Sequence, residues 1–103
     1  MSRVLVSESG GSVRVSEAAL NEVVRRAVAS VDGAQLRKGR RRLGVELEGG
    51  RARAELQLAV AYGHVLPEVS VAVQERVADM LARTFDVDVE AIDVTVEQLE
   101  RAR

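Results

Sequence analysis

The run from Leu56 to Glu68 limits the folds open to this chain more than any other, because it joins a strand to a helix. Apolar and polar residues alternate up to Tyr62-Gly63, the period of a strand with one face buried. A helix start follows at Leu66-Pro67-Glu68. Pro67 suits a first helical turn, where its missing N–H would have no partner, and Glu68 complements the positive end of the helix dipole. A strand that passes directly into an amphipathic helix calls for a helix layer packed on a sheet.

The flanking sequence extends this pattern. Val4 and Val6, then Val13 and Val15 after Gly10-Gly11, predict a short strand or a loose hairpin, with residues 1–10 frayed or forming an extra strand. Ser16 reads as a helix N-cap. Leu20, Val23, Val24, Ala27, Val28 and Val31 recur at spacings of three and four, which predicts one helix, with Gly33 as its C-terminal cap. Gly44 to Glu48 and Arg51 to Tyr62 form a hairpin through Gly49-Gly50. Its second strand sends Ala54, Leu56, Leu58, Val60 and Tyr62 inward, and Arg53, Glu55, Gln57, Ala59 and Ala61 outward. The second helix runs to about Phe85 with Val69, Val73, Val77, Met80, Leu81 and Thr84 as its stripe. Val87, Val89, Ile92, Val94 and Val96 mark a last strand. The expected fold is α+β: a two-layer sandwich in β-α-β-β-α-β order, with both helices on one face of a mainly antiparallel sheet.

At 103 residues the chain makes one domain, 1–103, and no linker or repeat divides it. A 47% hydrophobic fraction argues against disorder. The longest apolar run, Leu58 to Tyr62, falls far short of the roughly 20 residues that span a bilayer, and the N-terminus lacks a signal pattern. A cytoplasmic protein is expected. Its lack of cysteine fits and removes disulfides and thiolate metal ligands.

Several chemistries can be tested on residues. Asp86, Asp88, Glu90 and Glu97 match four positions of a calcium loop, but Ala91 replaces the required Gly and the interleaved valines have a strand's period. Gly39 and Gly44 have phosphate-loop spacing, but Val45-Glu46 stands where Lys and Ser/Thr would grip phosphate and magnesium. His64, the only histidine, has Ser70 within six residues and nothing else to form a catalytic or metal-binding group, so loop composition explains it. Glu46 and Glu48, like Asp79, Glu90 and Glu97, read as solubilising. No catalytic residue, cofactor, metal or small-molecule substrate is expected.

Charge and surface pattern supply two candidate sites. Residues 1–53 carry a net charge of +5 and residues 54–103 a net −6, an asymmetry that favours head-to-tail association or an anionic partner. Arg37, Lys38, Arg40, Arg41 and Arg42, with Arg51 and Arg53 expected nearby across the hairpin, could hold phosphate groups or anionic headgroups. The sheet has no aromatic platform for stacking bases, so nucleic acid is the weaker reading. Val71, Ala78 and Ala82 on the outer face of helix two, with Ala59 and Ala61 on the open sheet face, offer an association surface.

Taken together, Gly11-Ser12-Val13-Arg14-Val15-Ser16, Val31-Asp32-Gly33-Ala34, Leu58 to Gly63, Leu66-Pro67-Glu68-Val69, Val73-Gln74 and Ile92-Asp93-Val94-Thr95-Val96 resemble the alkaline shock protein family. These are also called Gls-type general stress proteins of the bacterial envelope stress response. The resemblance covers about Gly11 to Leu99. It implies a small, cytoplasmic, non-enzymatic domain of cell-envelope homeostasis, held near the membrane through a small membrane-protein partner. Asp93 stands where the family commonly has Asn, and the Arg37 to Arg42 loop is more basic than its pattern. The expected function is that of an interaction or scaffold module that forms homo-oligomers. The alternative is an anion or nucleic-acid binding module that uses the arginine loop.

Overall fold

The computed structural model describes residues 2–6, 12–39 and 42–98. Gly10-Gly11, Leu99, Arg40 and Arg41 lie outside them. The elements run β1 (Ser2–Val6), β2 (Ser12–Ser16), α1 (Glu17–Ala29), β3 (Ala34–Leu36), β4 (Leu43–Glu48), β5 (Arg51–Val60), α2 (Leu66–Phe85) and β6 (Asp88–Gln98). The fold is α+β, a two-layer arrangement with a mainly antiparallel sheet.

β5 is the axis of the main sheet. One of its edges is shared end to end by β3, antiparallel opposite Leu58 to Val60, and β4, antiparallel opposite Arg51 to Leu56. Its other edge pairs with β6 in parallel, a geometry that needs a crossover such as α2. The N-terminal strand does not join this sheet. β1 and β2 instead pair with each other as a separate antiparallel hairpin, from Ser2 opposite Ser16 to Val6 opposite Ser12. A two-stranded sheet is marginal alone, and Val15, 6% exposed, anchors this one to the core.

The core holds Leu20, Val24 and Val28 of α1, Leu56, Leu58 and Val60 of β5, and Val73, Val77 and Leu81 of α2. Val94 packs against them half-buried, because β6 is an edge strand. No buried side chain among the described residues is polar or charged, so apolar burial drives the assembly. Thr84, expected in the α2 stripe, is exposed.

Three local features depart from the sequence pattern. Ser16 caps α1 as expected, its Oγ accepting from Ala19 N–H at 3.0 Å, but the helix stops at Ser30 and not at Gly33. Ser30 Oγ donates to Ala27 O at 2.7 Å and accepts from Arg76 Nε at 3.0 Å, which ties this helix end to α2. β5 ends at Val60, so Tyr62 lies in the turn, 55% exposed, and not on the core face. In β6 the register slips between the partners of Ala52 and Arg53, which pair with Val89 and Ala91 and leave Glu90 over. That one-residue bulge keeps both Val89 and Ile92 on the apolar side, although strict alternation would turn one of them outward.

Candidate interaction surface

The basic segment between β3 and β4 is an excursion from one interrupted strand. Arg37 N–H donates to Gln57 O at 2.8 Å, and Gln57 N–H donates to Arg42 O at 2.9 Å, so both ends are held by a single residue of β5. Within it, Arg42 Nη1 donates to Gly39 O at 3.2 Å and Lys38 is exposed. Arg37 reaches across β5 to Glu97, an ion pair of 3.1 Å.

Arg51 and Arg53 do not join this cluster. They stand opposite Glu48 and Glu46 in the hairpin, six and four residues along β5 from Gln57, roughly 20 Å and 14 Å away at strand spacing. Arg51 is also within 3.6 Å of Glu90. Among the described residues of the expected basic patch, Arg37, Lys38 and Arg42 therefore stand apart from Arg51 and Arg53, and three of the arginines, Arg37, Arg51 and Arg53, stand beside carboxylates. The two-residue Gly49-Gly50 turn sets this register and with it the separation of the two arginines from the basic segment.

The residues expected to form an association surface differ in exposure. Val71 is 51% exposed on α2, and Ala78 and Ala82, half-buried, follow it at helical spacing on the outer face. Ala59 is only 3% exposed and offers no contact area. It lies between Gln35 and Glu97 in the register, where the Arg37 to Glu97 pair crosses the strand. Ala61 is half-buried in the joint after β5, its N–H donating to Gly33 O at 2.8 Å.

That joint gives His64 its role. Gly33 has φ +84°, and a Cβ there would lie 2.6 Å from His64 Nδ1, so the imidazole sits directly on the glycine backbone. The Asp32-Gly33 turn and the Tyr62-Gly63-His64 turn, some 30 residues apart in sequence, thus close one end of the molecule. Ser70 Oγ donates to Leu66 O at 2.9 Å and takes no part. Gln74 Nε2 donates to Ile92 O at 3.0 Å, which fixes α2 to β6 and accounts for a glutamine beside the core residue Val73. Among the described residues, no three His, Cys, Asp or Glu come together as metal ligands, and no helix is long and apolar enough to cross a membrane.

A family model, that of the alkaline shock protein 23 family with cell envelope-related function, matches residues 34–101. No curated protein sequence matches the chain. Among solved structures, the MamM CTD in a zinc form aligns with a TM-score of 0.62 and 21% identity, covering 82% of this chain and 87% of that one. A manganese form of the same domain aligns at 0.61 and 21%, covering 82% and 100%. At this identity the likeness is one of fold.

Proposed function

Because the chain belongs to the alkaline shock protein 23 family, whose function is cell envelope-related, we propose that it is a non-enzymatic interaction module of envelope stress response and homeostasis. In this reading it works in the cytoplasm, associates with copies of itself, and is brought to the membrane by a membrane-protein partner. The supporting observation is the outer face of α2, where exposed Val71 continues into Ala78 and Ala82 and small side chains leave room for another surface.

Sedimentation velocity tests this. The wild-type protein should associate with rising concentration, and Ala78→Glu should remain monomeric with an unchanged thermal unfolding curve, since the new carboxylate points away from the core. The anion-binding alternative predicts something different for Arg40, Arg41 and Arg42. About five phosphate contacts would give a slope of log affinity against log salt near −4 to −5, flattened in the Arg40/Arg41/Arg42→Ser variant. Tight nucleic-acid binding at physiological salt by a strictly monomeric protein would reverse the choice.

A further inference from the structure

The sheet face turned away from the helices has an anomaly at its centre. Reading across β4, β5 and β6, its rows are Glu46, Arg53 and Ala91, then Gly44, Glu55 and Asp93, with Gln57 beside Thr95 next. Toward either end the charges form ion pairs, Arg51 with Glu90 and Arg37 with Glu97, while Arg53 stands opposite Glu46 and lines one hollow with Glu46, Glu55 and Asp93. Glu55 and Asp93, both exposed, stand on adjacent strands about 4.8 Å apart with no cation in their row.

The third position of that row is Gly44. Its φ is not positive, and a Cβ there would meet nothing within 4 Å, so neither backbone conformation nor internal packing calls for glycine. A glycine inside a strand weakens it, and the remaining reason for one is close approach by another backbone. Its bare backbone opens a shallow groove of about 430 Å³, with Leu43 and Leu56 beside it and Glu55, Gln57, Asp93 and Thr95 along it.

We propose that this face docks an extended cationic segment of a partner protein, its backbone over Gly44 and its arginine or lysine side chains on Glu55 and Asp93. Charge complementarity selects that occupant. Glu46, Glu55 and Asp93 outnumber Arg53, the arginine that lines the same hollow, so this face attracts guanidinium or ammonium groups and repels phosphate. The proposal rests on the reading of the chain as an interaction module, but it uses the layer opposite the α2 face.

The test is fluorescence anisotropy with a labelled nonapeptide alternating arginine and serine. Gly44→Val, which changes no charge, should weaken binding at least tenfold while raising the thermal midpoint, because valine favours a strand. Glu55→Gln with Asp93→Asn should weaken it similarly. Glu68→Gln with Glu75→Gln, the same charge change on α2, should leave it within twofold, and Ala78→Glu should bind like wild type. Binding that survives Gly44→Val, or that the α2 pair weakens equally, would overturn the proposal. A wild type that ignores the peptide but self-associates through Gly44 would also overturn it, the occupant then being a second copy. Absent peptide binding with association still sensitive to Ala78→Glu would sink the docking site and leave the functional reading standing.

Discussion

Leu58→Ala is expected to lower the stability of the domain by about 2 to 5 kcal/mol, the cost of an unfilled cavity at a fully buried leucine. Leu58 is 0% exposed and stands where three strands meet, opposite Leu36 of β3 and Val96 of β6. Neighbours held by ladders on both edges cannot collapse into the space, which favours the upper part of that range. Urea unfolding should show a lower midpoint with an unchanged slope. An unaltered midpoint would contradict the register, since a slip of one residue turns this side chain to the open face.

The second large effect is expected at Gly33. Placing a Cβ there forces an L-residue into a left-handed backbone, at about 1 to 2 kcal/mol. It also pushes that atom to 2.6–2.7 Å from three atoms of the His64 ring, an overpacking cost of about 1 to 3 kcal/mol. A double-mutant cycle separates the two contributions. Gly33→Ala should cost several kcal/mol in the wild type but only the backbone part in a His64→Ala background. Strict additivity would show that the two turns are not packed on each other, because residues in contact couple and distant ones do not.

Sequence periodicity carried most of the architecture for physical reasons. Each helix buries one stripe and β5 one face, so α1, α2 and the β4–β5 hairpin write their burial into spacing. β3 is three residues long, too short for a period, and its pairing with Leu58 to Val60 becomes visible only once the chain has folded back. The change of phase between Val89 and Ile92 is present in the sequence, but as a bulge it is intelligible only beside Ala52 and Arg53. The N-terminal valines alternate like any strand and do not reveal that they pair with each other. The surface was harder to read. Arg51 and Arg53 resemble a continuation of the basic run until the register sets Glu48 and Glu46 opposite them, and Ala59 looks open until Arg37 is seen crossing to Glu97. His64 carried no signal of its own. The glycine it rests on, 31 positions earlier, was the available clue.

The anchoring of Arg37 and Arg42 on the two backbone groups of Gln57 bears on how such a domain can diversify. Because the strand resumes where it was interrupted, residues can be added between these anchors without altering the ladder on either side. Doubling a loop's length costs only about 0.6 kcal/mol in closure entropy. Evolution could therefore change this segment's length and charge independently of the scaffold that holds it.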